Sequence, residues 1–193
     1  MLNASHPVLM DALWAKDAKR LRPIALVFAG SLLLTLSAKF QVPFYPVPMT
    51  LQPLVVLLLG VALGSRLGLA TVLFYLAQGV AGLPVFAGTP EKGIGLAYMV
   101  GPTGGYLLGF AAAAFVTGWL AERGFDRSRF GALLAMSLGM AVIYAFGLLW
   151  LGVFVGYNGT LFTLGLTPFI LGDALKIALA TLSLPMLWSL LQK

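Results

Sequence analysis

The sequence predicts an all-α integral membrane protein of six transmembrane helices, and three observations predict it. Sixty per cent of the 193 residues are apolar and nine per cent charged, where a soluble domain is nearer half and a quarter. The apolar residues fall in long runs, the first three short of and the others near the ~20 residues that a membrane helix takes. A membrane β-barrel would show short alternating segments instead. Basic residues gather in alternate links between the runs, as in a chain that threads a bilayer repeatedly. Six helices would use about 120 residues, close to the apolar share of the chain. This composition excludes a soluble enzyme, a disordered chain and, with no cysteine, a disulfide-stapled scaffold.

The spans follow in order. The first runs from Pro23 to Ala38, behind a basic lead of Lys16, Lys19, Arg20 and Arg22. Its small residues Ser37-Ala38 resemble a signal-peptide cleavage site, but five further spans favour an uncleaved helix. The second runs from Leu51 to Gly64 and the third from Leu67 to Gly82, joined by a minimal link at Gly64-Ser65-Arg66. The fourth covers Gly104 to Leu120, the fifth Phe130 to Val155 and the sixth Pro168 to Leu191. The chain thus divides into a basic segment, residues 1–22, and a six-helix membrane domain, residues 23–193. An amphipathic helix over Val8 to Leu21, with Leu9, Leu13, Trp14 and Leu21 among lysines and an arginine, would lie on the inner membrane surface. A solvated basic lead is the alternative.

Charge sets the orientation. With the N-terminus inside, the inner segments hold Lys16, Lys19, Arg20, Arg22, Arg66, Arg123, Arg127, Arg129 and Lys193, and the outer loops hold Lys39 and Lys92. Nine against two gives an N-in, C-in protein. The net charge of +6 therefore reports topology. It gives no basic patch interleaved with aromatics, so no nucleic-acid partner is expected. The three outer loops, Lys39 to Thr50, Leu83 to Thr103 and Gly156 to Thr167, are long, apolar and aromatic. Loops of that composition are expected to fold back onto the bundle, and their prolines lower the entropy lost in doing so.

Asp173 and Lys176 lie inside the sixth span. Each costs roughly 2.5–3.5 kcal/mol at the centre of a membrane helix, and i, i+3 spacing puts both on one face. Asp173 sits five residues after Pro168, about 7.5 Å deep at 1.5 Å per residue. That is the floor of an outward-facing pocket; a mutually satisfied structural ion pair is the alternative. Gly101-Pro-Thr103-Gly104-Gly105 opens the fourth helix, where free N–H groups would suit a carboxylate. The same glycines, with Gly105 and Gly109 as a GxxxG pair, equally suit close helix packing. Thr50 and Gln52 stand at the outer end of the second span and Gln78 near that of the third, as ligand contacts or helix caps. Tyr98, Tyr106 and Tyr157 sit at the outer interface, where an aromatic belt also accounts for them. Ala25 and Ala29 make a small-xxx-small pair on the first helix.

The sequence carries no Walker A motif, no HExxH, no GxSxG and no Cys/His cluster. The chain itself is therefore not expected to hydrolyse ATP, to hold a metal or to act as an enzyme. Two other readings remain at this level: a small intramembrane enzyme built on Asp173 and Lys176, and a structural or assembly subunit of a membrane complex.

Four stretches together resemble the BioY family, the biotin-binding membrane subunits (S components) of energy-coupling factor transporters. They are Pro46-Val-Pro-Met-Thr-Leu-Gln52, Gly79-Val-Ala-Gly-Leu-Pro-Val-Phe86, Tyr98 to Phe110, and Phe169-Ile-Leu-Gly-Asp-Ala-Leu-Lys176. The resemblance implies a six-helix S-component bundle in a bacterial inner membrane. It implies high-affinity capture of biotin from outside, with uptake energised by a membrane scaffold subunit and two separate ATPases. Membrane lipid and biotin would be the other partners, no cofactor is implied, and self-association stays open. Ala25 and Ala29 match the face that meets the scaffold in related S components. Asp173 would accept from the ureido N–H groups of biotin, and Lys176 would donate to its carbonyl or carboxylate. Phe44, Tyr45 and Phe86 would cover its apolar body. The carboxylate would meet Lys176 or the backbone of Gly101 to Gly105, including Thr103 and Gly104. Tyr98, Thr50, Gln52 and Gln78 complete the expected contacts, Gln78 where the family carries a ligand-contacting amide.

Overall fold

The computed structural model describes residues 6–13 and 21–191. Trp14, Lys16, Lys19, Arg20 and Lys193, which the charge argument and the amphipathic lead invoke, lie outside them. The element order is α1 (Leu9–Leu13), α2 (Leu21–Lys39), β1 (Gln41–Val42), β2 (Met49–Thr50), α3 (Gln52–Val80), α4 (Leu96–Met99), α5 (Gly104–Ala121), a 3₁₀ turn (Phe125–Arg127), α6 (Arg129–Val155), α7 (Gly159–Gly165) and α8 (Ile170–Leu191). Five of these, α2, α3, α5, α6 and α8, are long and apolar enough to cross a membrane.

The fold turns on a break inside α3. Gly64 leaves the helix with φ 80° and ψ 174°, a conformation that a side chain would strain. The chain then doubles back. A Cβ on Gly68 would stand 3.0 Å from the Cα of Gly60. Gln52 Nε2 donates to the Tyr75 hydroxyl at 2.8 Å, although a straight helix would part these residues by about 35 Å. The two arms of α3 therefore lie side by side, as the link Gly64-Ser65-Arg66 predicts. Glu122 holds the turn, its Oε1 accepting from both the backbone N–H and the hydroxyl of Ser65 at 2.8 Å each.

Around this hairpin α2 packs on α3, α3 on α5, α5 on α6 and α6 on α8, and α8 returns to touch α3. α5 is the central helix: most of its apolar stretch is buried, against about a third of that of α2 and less of α8. Its glycines explain how neighbours come so close. A Cβ on Gly105 would lie 2.2 Å from that of Trp150, and one on Gly109 would lie 3.0 Å from Ile143 Cα. The GxxxG pair thus serves packing against α6, one of its two sequence readings. Large apolar side chains such as Ile24, Phe28, Leu175 and Leu179 stay exposed on α2 and α8, on the surface that lipid would cover.

The loops fold onto one end of the bundle, the mouth, as their composition predicts. β1 and β2 pair antiparallel, with Gln41 opposite Thr50. Val47, Val85, Phe86 and Tyr98 are buried. The short helices α4 and α7 inside the second and third outer loops are not foreseen by the sequence. At the opposite end, the base, α1 packs under the bundle with Val8 and Leu9 buried. His6 N–H donates to Glu122 O at 2.9 Å, and Arg22 pairs with Asp11 at 3.0 Å. Only the Leu9–Leu13 part of the predicted amphipathic lead is a described helix.

Candidate functional site

The early residues of α8 carry both charges into the bundle. Asp173 and Lys176 are 5% and 6% exposed, so each needs partners to remain charged. Lys176 Nζ donates to Asp173 Oδ1 at 2.7 Å and to the carbonyl of Thr50 at 2.8 Å. The second contact ties α8 to the strand that ends the first outer loop. The Tyr144 hydroxyl of α6 donates to Asp173 Oδ2 at 2.5 Å. Each carboxylate oxygen therefore holds one donor, and one ammonium proton is left over from the two bonds of Lys176.

A cleft of about 500 Å³, open on one side, lies against this triad. Five predicted residues line it: Thr50, Gln52, Thr103, Asp173 and Lys176. Apart from Tyr106 and Tyr144, the rest of the wall is apolar, chiefly Leu107, Phe110, Ile143 and Phe169. Gln52, 3% exposed, is aimed by its bond to Tyr75, whose hydroxyl donates on to Val85 O at 3.0 Å. Tyr106 lines the cleft and donates to Gly165 O at 2.7 Å, which ties α7 down beside it.

Seven predicted contacts stand outside this lining. Gln78 accepts a hydrogen bond from the Ser31 hydroxyl, which turns its amide toward α2. Phe86 is fully buried and fills the space over Gly79, where a Cβ would lie 2.0 Å from its ring. It stacks on Tyr98 with ring centroids 5.0 Å apart, so its neighbour Ala87 forms the wall instead. Tyr98 donates to Ala87 O at 2.8 Å, and burial pushes its phenol up to about 12, which leaves it a neutral donor. Tyr45 is 87% exposed. Phe44 reaches the site through its edge contact with Phe169, at 6.1 Å. Gly101 O accepts from Trp150 Nε1 at 2.9 Å, and Gly104 packs against the carbonyl of Met99. Ala25 and Ala29 lie on the exposed side of α2.

Tyr144 is the polar residue that sequence reasoning missed. A tyrosine in an apolar helix reads as core or interface, and its partner is 29 residues away.

The sequence and the fold have counterparts among known proteins. The model of the BioY family matches residues 10–193. The chain is 40% identical to the probable biotin transporter BioY of Pyrococcus horikoshii over 165 residues, 86% of this chain and 93% of the relative. It is also 40% identical to the biotin transporter BioY of Thermotoga maritima over 151 residues, 78% and 86% of the two chains. A crystal structure of the S-component for biotin from an ECF-type ABC transporter superposes with a TM-score of 0.76 at 25% identity, covering 90% of this chain and 94% of the other. On the family match and on these relatives, the chain belongs to the BioY family.

Proposed function

We propose that this chain is the biotin-binding membrane subunit of an energy-coupling factor transporter, which captures biotin at the mouth and delivers it for uptake. The observation that carries the reading is the Asp173–Lys176–Tyr144 triad on the wall of a mostly apolar cleft. The ureido ring of biotin presents two N–H donors beside one carbonyl. Asp173 keeps acceptor lone pairs beyond its two bonds, and Lys176 keeps one proton. The fused rings and the alkyl chain suit Leu107, Phe110, Ile143 and Phe169. The chain binds and releases its ligand unchanged, so it is a transporter subunit and not an enzyme.

The break at Gly64 supports counting α3 as two crossings, six in all, in a multi-pass protein of the cytoplasmic membrane. The excess of basic residues at the base supports an N-in, C-in orientation with residues 1–22 on the cytoplasmic side. We infer that a scaffold subunit docks on the exposed side of α2 around Ala25 and Ala29, and that two ATPases supply the energy.

Calorimetry of the detergent-solubilised chain with biotin, without nucleotide or partners, tests the reading. Saturable one-to-one binding is expected. No heat of binding from folded protein overturns it.

A further inference from the structure

Lys39 ends α2 at the mouth, outside the cleft. Its ammonium donates to the carbonyls of Pro84 at 2.8 Å, Phe86 at 3.1 Å and Thr89 at 3.3 Å, and to the Thr89 hydroxyl at 3.2 Å. Three N–H groups face four oxygens, so one segment of chain takes up the whole donor capacity of this lysine, whose side chain is otherwise exposed. Residues 84–89 have no helix or strand to satisfy their carbonyls, and buried carbonyls need donors. Lys92 N–H bonds Gly88 O and Thr89 bonds Phe86 O from within the loop, and side chains of the neighbouring helices supply the other donors. Tyr75 of α3 bonds Val85 O and Tyr98 of α4 bonds Ala87 O. Lys39 takes three of the other carbonyls, and it alone of these three donors comes from α2.

The segment that Lys39 gathers is a wall of the site. Ala87 lines the cleft, and Phe86 is locked under it between Tyr75 and Tyr98, at 5.5 Å and 5.0 Å between ring centroids. α2 is at the same time the least enclosed partner of this segment: it packs chiefly on α3 and leaves Ile24, Phe28, Leu32 and Leu36 exposed. A helix held on one side can shift as a unit, and Lys39 would carry that shift to the loop.

We propose that Lys39 is a positioning residue that pins residues 84–89 over the cleft, so that the escape rate of bound biotin depends on the outer end of α2. This rests on the biotin reading above. Removing the ammonium would loosen the wall without touching any group that meets the ligand. The dissociation rate should therefore rise while the association rate holds.

The test compares wild type, K39M and K39R by chasing bound radiolabelled biotin with unlabelled biotin. K39M is expected to dissociate about tenfold faster, the size of a lost charged hydrogen bond. K39R, which can still donate to several carbonyls, is expected to recover most of the difference. Hydrogen exchange of ligand-free protein gives a readout that needs no biotin. Amides 85–92 should exchange faster in K39M, with those of α5 and α6 unchanged. If K39M does not fold, K39Q replaces it, with one amide against four oxygens and an intermediate rate expected. Wild-type dissociation together with unchanged exchange over 85–92 overturns the proposal. Wild type that binds no biotin overturns the function instead, and the exchange data still decide the role of Lys39.

Discussion

Two buried carboxylates, one at each end of the bundle, are built differently. Asp173 at the mouth is 5% exposed and Asp126 at the base is 1% exposed. Asp173 has a donor on each oxygen, Lys176 on one and Tyr144 on the other, and faces the cleft. Asp126 has the Trp188 indole N–H on Oδ2 at 2.5 Å, and its buried Oδ1 has no partner among the described residues. The adjacent Arg127 lies over the Trp188 ring and bonds Pro7 O rather than the carboxylate. Burial of a charge therefore does not mark a site by itself. Asp173 is distinguished by a balanced set of partners beside open space, so that a ligand can join the network without first breaking it.

That contrast breaks most sharply at Asp173. Asp173→Asn keeps the shape but loses the charge that Lys176 and the ureido N–H groups meet. Biotin affinity should fall by about 10–100-fold, from the ~1.5–3 kcal/mol of a hydrogen bond to a charged group. Calorimetry with folded variant at wild-type affinity would show that the ligand sits elsewhere. Tyr144→Phe comes next. It removes one donor from Asp173 Oδ2 and leaves the ion pair, so a loss of about 3–10-fold is expected, the worth of one hydrogen bond. An unchanged affinity would mean that Tyr144 only satisfies the carboxylate in the empty protein.

How far the sequence reaches is decided by what is costly in a membrane. A charge inside an apolar helix is costly wherever it points, so Asp173 and Lys176 are legible from composition and spacing alone. The helices are legible for the same reason, since unpaired backbone cannot face lipid. The Gly64 turn is legible because Gly64-Ser65-Arg66 interrupts two apolar runs. The apolar wall is not: Leu107 and Ile143 face the cleft while Leu108 and Leu149 are exposed, and hydropathy treats these alike. Aromatic loop residues mislead in the opposite direction. Phe86 and Tyr98 look like ligand covers, yet they fill the hole over Gly79 and donate to the loop backbone. Gln78 is polar and well placed along the helix, but the rotation of its helix faces it to Ser31. Spacing gives depth in the membrane; which neighbour is met depends on packing between distant segments.

The smallest expected effect is at Asp126, and it tests the other half of the comparison. Burial raises its carboxyl above the ordinary carboxylate range; the Trp188 N–H, its own backbone N–H and the charges of Arg127 and His6 pull the other way and are outweighed. A raised acid holds its proton more tightly in the folded chain than in the unfolded one. Its contribution is complete below the unfolded value, about 4, and is lost as pH rises through the folded value. Each kcal/mol so lost lowers Tm by about 2–4 °C in a chain of this size. Asp126→Asn cannot ionise and so removes this dependence. Thermal unfolding in detergent from pH 4 to pH 7 should show the variant gaining on wild type as pH rises, with biotin affinity unchanged. A constant difference in Tm across that range would mean that Asp126 stays charged in the folded protein, with its unpaired oxygen satisfied by water, and the two carboxylates would then differ in their partners but not in their protonation.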